Sequence, residues 1–150
     1  MRELVQLIDK NLDYVSSKII DDTIYVEVKS NRLEVVCPIC GKKSNRCHSN
    51  YDKTFSDLPI QGKKVIILLK NRKMFCDNNK CVRTTFAETF EALPHKAKKT
   101  KRLRDEIINV SSTNSSVMAS KMLEQSGITV KKSSICNYLK KTKNLSINHK

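Results

Sequence analysis

Four cysteines in two short pairs, Cys37-Pro38-Ile39-Cys40 and Cys76-Asp77-Asn78-Asn79-Lys80-Cys81, are the residues whose type and spacing point most directly to chemistry. Zn²⁺ bound by thiolates is tetrahedral, and a turn of two to four residues lets both sulfurs of a pair face one ion. The two turns lie 35 residues apart, positions 41 to 75, so two distant segments would share the metal. Pro38 restricts the first turn, and Gly41 supplies a residue able to take positive φ just after its second ligand. The expectation is one structural Zn²⁺ held by Cys37, Cys40, Cys76 and Cys81. The alternatives are four unrelated buried cysteines, two disulfides, or a redox pair. A redox Cys-x2-Cys pair belongs at a strand-to-helix junction of a βαβ unit, whereas Cys37 follows the strand-like Arg32-Leu33-Glu34-Val35-Val36 and precedes a Lys/Ser/Asn-rich turn.

Strands are the elements that must deliver both pairs. Ile24, Val26 and Val28 alternate with polar residues after the Asp21-Asp22 turn, which predicts a hairpin or small sheet with Tyr14 to Ile20. Lys64 to Lys70 continues through Met74-Phe75 into the second pair, as Arg32 to Val36 leads into the first. That is the layout of a zinc ribbon, in which the metal stands in for much of a core. Ahead of it, Leu4, Leu7 and Ile8 recur at helical spacing and predict one or two turns of helix.

Charge is the second signal. Residues 1–36 balance at −2 and residues 37–150 at +16, so the basic character begins with the cysteine segment. The expected partner is a polyanion, with nucleic acid ahead of membrane because there is no basic amphipathic helix with a broad aromatic face. The plain alternative is a merely solvated basic surface. No window approaches the ~20 apolar residues of a membrane span. No N-terminal stretch has the form of a secretory signal, and cysteines in a reducing cytosol are better read as ligands than as cross-links.

After Leu93-Pro94, Lys96, Lys98, Lys99, Lys101, Arg102 and Arg104 fall within ten residues, a basic linker able to run along a phosphate backbone or to open a solvated helix. Leu103, Ile107 and Ile108 mark a first helix that stops in Ser111-Ser112-Thr113-Asn114-Ser115-Ser116. One of those serines would cap a second helix carrying Val117, Ala119, Met122 and Leu123. Gly127 ends that helix, and Thr129 is placed to cap a third with Ile135, Tyr138 and Leu139. This order predicts a helix-turn-helix, in which Ser133, Ser134 and Asn137 read base edges while Lys131 and Lys132 hold phosphates. Helical hairpins with a glycine turn also occur in proteins that never touch DNA.

Taken together, Cys37-Pro38-Ile39-Cys40-Gly41, His48-Ser49-Asn50-Tyr51, Asp57-Leu58-Pro59-Ile60, Phe75-Cys76-Asp77-Asn78, Cys81 with Arg83 to Glu88, and Leu93-Pro94 before a basic stretch resemble the N-terminal portion of insertion-sequence transposases of the ISL-three group. The resemblance covers roughly residues 14–141. It implies a zinc ribbon and a helix-turn-helix that recognise double-stranded DNA at the terminal inverted repeats of a mobile element, in a bacterial, cytoplasmic, nucleoid-associated setting. In that family an Asp/Asp/Glu catalytic domain follows later, beyond the part matched by this chain. Two departures stand out: Asn114-Ser115-Ser116 replaces the paired glycines often found between the first two helices, and Cys47 sits where an apolar residue is more usual.

The expected fold class is therefore α+β, a small β-rich zinc ribbon over 1–93, a basic linker over 94–102, a three-helix helix-turn-helix domain over 103–143 and a polar tail over 144–150. No catalysis is expected. The fifteen acidic residues are scattered, Asp105, Glu106 and Glu124 have no sheet to converge them, and no histidine has a nucleophilic partner. A stand-alone regulator of the same build and a zinc-stabilised protein- or RNA-interaction module are the competing readings. A homodimer is compatible with each.

Overall fold

Two apolar runs, one alternating and one continuous, organise the fold. β2 (Thr23–Ser30) buries Ile24, Val26 and Val28, while β6 (Lys63–Phe75) buries Val65, Ile67 and Leu69. The strands run parallel side by side, Ile24 beside Val65 and Val28 beside Leu69. β1 (Leu12–Ile20) pairs antiparallel with β2, and β5 (Cys47–Ile60) pairs antiparallel with β6 through the two-residue turn Gln61-Gly62. The order is β1-β2-β6-β5, with β7 (Thr85–Ala87) joining the far end of β6. The computed structural model describes residues 2–148, and their side chains as far as residue 141; among them are this mostly β sheet, four helices and a two-stranded ribbon, β3 (Val35–Val36) with β4 (Lys43–Ser44). The class is α+β.

Alternation gives the sheet one buried and one open face. The buried face carries Leu12 and Phe55 with the β2 and β6 residues above, packed with Val5, Phe90 and Leu93. Val5 comes from α1 (Arg2–Ile8), whose Leu4 and Leu7 are 49% and 77% exposed, so the apolar positions expected of that helix are mostly not the ones it buries. Only Val5 of this short helix is fully buried, with Ile8 packing beside it at the edge of the core. This sheet has a core of its own, and the metal end has a separate small cluster of Val35, Cys37, Met74 and Phe86. The expectation that zinc stands in for much of the core is thereby narrowed to the open end of the β5–β6 hairpin.

The helices α2 (Lys101–Ser112), α3 (Ser116–Gln125) and α4 (Lys132–Asn148) share a third core of Leu103, Ile107, Ala119, Leu123, Ile128, Val130 and Ile135. Thr100 caps α2 and Ser115 caps α3, each side-chain oxygen accepting the amide three residues on. Gly127, at φ +89°, ends α3: its amide donates to Glu124 O, and Ile128 N donates to Leu123 O. That double bond pattern is a Schellman closure, with Ile128 and Leu123 meeting in the core. Asn114 makes the α2–α3 turn without a left-handed residue, its Nδ2 donating to Val110 O, so the missing glycines are not needed. Thr129 does not cap α4, which opens at Lys132 with Ile135 N donating to Lys131 O. α4 continues to Asn148 through most of the tail expected over 144–150; residues 149 and 150 lie outside the described residues.

The segment expected to be a linker is part of the sheet edge. Ser56 N donates to Lys98 O and Thr100 N donates to Ser56 O, so residues 98–100 lie along β5 as a short parallel bridge before α2 starts at Lys101.

Candidate metal centre and nucleic-acid interface

Local chain geometry brings the four cysteines together. β3 delivers Cys37, whose carbonyl accepts Gly41 N at 2.9 Å while its own amide donates to Lys42 O, closing the first turn with Gly41 at φ +77°. β6 delivers Cys76, whose amide donates to Thr84 O, and Cys81 N donates to Asn78 O to close the second turn. All four Sγ atoms lie within 4.8 Å of one another, with Cys37 to Cys81 at 4.0 Å and Cys40 to Cys76 at 3.6 Å. A tetrahedron with Zn–S near 2.3 Å needs sulfurs roughly 3.8 Å apart, which these spacings meet. Disulfides are excluded because all six cysteines are free.

The thiols also behave as one set. The Lys42 backbone amide, against some burial, lowers Cys40 to about 6. Cys76 is pushed up to about 12: the Asn78 backbone favours its thiolate, but burial and the neighbouring Cys40, Cys37 and Cys81 outweigh that. Four thiolates in so small a space need a dication between them, and the donor set fits one zinc. Cys47 is no part of it. It is exposed, donates weakly to Ser49 O and Asn50 Oδ1, and its neighbour His48 bonds Ser49 Oγ at 2.9 Å and packs edge-on against Phe75.

Residues 34–81 match the zinc-finger of transposase IS204/IS1001/IS1096/IS1165. The match spans 48 of the 150 residues and both cysteine pairs, so this region is a transposase-type zinc ribbon holding a single Zn²⁺ site. No curated protein and no solved structure matches the chain.

Two carboxylates tie the transposase zinc ribbon to the rest of the molecule. Glu88, with its side chain fully buried, accepts from Arg72 Nε at 2.9 Å, Arg72 Nη2 at 3.0 Å, Arg32 Nη1 at 3.3 Å and Ser30 Oγ at 2.6 Å. Its bonds raise the Arg72 guanidinium further above its ordinary value. Asp57, 4% exposed, accepts from Thr100 Oγ1 at 2.7 Å and from Arg102 Nε at 2.7 Å, with Arg102 Nη2 on its second oxygen. It pins the capping residue of α2 to β5. Pattern reading passes over such residues, because a buried carboxylate looks like any surface acid until its partners are placed around it. The only trace in sequence is that Asp57-Leu58-Pro59-Ile60 and Glu88 lie inside the motifs that carry the family resemblance.

The candidate DNA-contacting residues fall into two groups. Lys96, Lys98, Lys131, Lys132, Ser133 and Asn137 are exposed, and Lys99, Arg104 and Ser134 are half-buried. Lys99 Nζ sits 5.9 Å above the Tyr138 ring, which brings the basic segment against the first turns of α4. By contrast, Arg102 is held by Asp57, and Lys101 reaches Glu91 at 3.4 Å. Cys136, half-buried, meets Ser116 Oγ at 3.5 Å across α3 and α4 and belongs to helix packing. No helix among the described residues is long and apolar enough to cross a membrane.

Proposed function

We propose that this chain is the DNA-binding part of an insertion-sequence transposase, recognising duplex DNA at the terminal inverted repeats of its element and carrying out no catalysis itself. The reading rests on one juxtaposition: beside a transposase-type zinc ribbon, the contact of Lys99 with Tyr138 sets lysines that enter no ion pair among the described residues next to the exposed opening of α4. In this reading α3 and α4 act as a helix-turn-helix, joined by the six residues from Ser126 to Lys131. Ser133, Ser134 and Asn137 face base edges, and Lys96, Lys98, Lys99, Lys131 and Lys132 hold phosphates. The phosphate role expected of Lys101 and Arg102 passes to these residues, since both already have carboxylate partners. Binding would place the protein on the bacterial nucleoid, and a homodimer would match an inverted pair of sites.

A gel shift of terminal-repeat DNA against scrambled DNA at equal salt tests this directly. The expected result is a preference that narrows when Asn137 becomes Ala, by about 1–3 kcal/mol for a good side-chain-to-base pair, while Lys98→Ala with Lys99→Ala weakens both DNAs alike. Equal binding to both DNAs by the unaltered chain would favour the interaction-module reading instead.

A further inference from the structure

The open face of the main sheet lies between the zinc tip and the helices. Cross-strand pairing sets Lys18 beside Tyr25, Tyr25 beside Ile66 and Ile66 beside Ser56; one step on come Ser16, Glu27, Leu68 and Thr54. Tyr25, Ile66 and Leu68 are half-buried, whereas Lys18, Lys29, Lys64 and Lys70 around them are mostly open to solvent. Their strand neighbours Ile24, Val26, Val65, Ile67 and Leu69 fill the core on the other side.

Both ends of this face are bounded. At the metal end, Met74 lies on the same side of β6 as Lys70 by strand alternation, and there the zinc cluster covers the sheet. At the other end a crevice of about 160 Å³ joins Lys64 and Ile66 to Lys99, Ile128 and Thr129, the last just ahead of α4. The floor between is continuous with the surface proposed for DNA. From Lys64 to Lys70 it runs about 20 Å along the strand, a little over half of one duplex turn of roughly 34–36 Å.

The geometry points to this sheet face as a second phosphate-binding surface, over which the backbone of the same duplex passes from α4 toward the zinc tip. The inference rests on the DNA-binding reading and extends it to residues of the main sheet. Lys18, Lys29, Lys64 and Lys70 enter no ion pair among the described residues. Three acids oppose them on the floor: Asp13 beside Lys29, Glu27, which accepts from Ser16 Oγ, and Asp52 beside Lys70. Asp21, Asp22 and Glu124 border the crevice end and limit the footprint on that side. A surface of lysines over small and half-buried side chains suits a phosphodiester backbone and offers no base readout.

The test is the salt dependence of binding by the full chain to a random-sequence duplex of about three helical turns, with Lys18, Lys29, Lys64 and Lys70 changed together to Gln. Removing one lysine–phosphate pairing lowers the slope of log K against log salt by about 0.9, so for four lysines a slope shallower by about 3.6 and affinity at least tenfold weaker are expected. Thermal unfolding should be unaltered, since none of the four ammonium groups is tied to a carboxylate. An unchanged slope with intact duplex binding overturns this inference and leaves the DNA-binding reading standing. Weakening confined to single-stranded RNA overturns the choice of partner. Failure of the unaltered chain to bind any duplex overturns both.

Discussion

The long β5–β6 hairpin is secured at its two ends by opposite means. At its open end, where β5 begins and β6 finishes, Met74, Phe86 and Val35 make a cluster too small to stand alone, and four cysteines gather around one metal site. At its turn end no metal is involved: Leu58 enters the helical core, Asp57 holds Thr100 and Arg102, and Gly127 lies against Pro59. The sheet between has its own apolar core. The contrast teaches that metal dependence is local. A thiolate cluster can order an end that buries few side chains, while three helices that share seven buried residues are positioned by packing, backbone bonds and one carboxylate.

Removing the metal is the most forceful way to break the comparison. Cys76→Ser should take zinc from one per chain to none by elemental analysis and abolish hydrogen-exchange protection around residues 35–47 and 73–87. Amides of β2, of residues 65–69 and of α2 and α3 should stay protected. The free energy at stake is the largest here, since structural zinc in small peptides contributes about 10–16 kcal/mol. Collapse of helical signal on metal removal would show that the two ends melt as one unit.

Glu88→Ala comes next, because it strands Arg72 and Arg32 in partly buried positions. A destabilisation of about 3–5 kcal/mol is expected in denaturant unfolding, with zinc still bound. Asp57→Ala acts at the opposite end and should cost less, about 2 kcal/mol, because Arg102 remains 42% exposed and can turn to water. Its exchange signature should appear at the start of α2 and leave the zinc tip alone. If Asp57→Ala instead released zinc, the ends would be coupled and the comparison would fail.

Smallest is Gly127→Ala. A left-handed φ of +89° costs an L-residue roughly 1–2 kcal/mol, and the added Cβ would meet Pro59 Cγ at 3.3 Å. A modest drop in midpoint with unchanged zinc content is expected. A neutral result would mean that the α3 closure and its seat on β5 give way easily.

Much of the molecule was legible along the chain. Cys37-Pro38-Ile39-Cys40-Gly41 announced its own geometry, because a metal turn is a local object whose ligands and φ demands sit within five residues. Ile24 to Val28 showed its strand by period-two alternation and Lys64 to Lys70 by a short continuous apolar run, while the serine run before α3 and Gly127 marked helix ends by chemistry that acts within one turn. The first helix misled: Leu4 and Leu7 matched a helical stripe, yet Val5 is the buried residue, because which side faces inward depends on the strand it meets.

Sequence alone thus determined the cysteine ligands, the element types and the basic balance, each set by residues near one another or by simple counting. Only the tertiary structure decided that β2 lies parallel to β6, that the basic stretch 98–100 edges the sheet, and that Asp57 and Glu88 are buried ties. Their partners lie 16 to 58 residues away. A carboxylate's role is fixed by which cations surround it once water is excluded, and no local pattern carries that information.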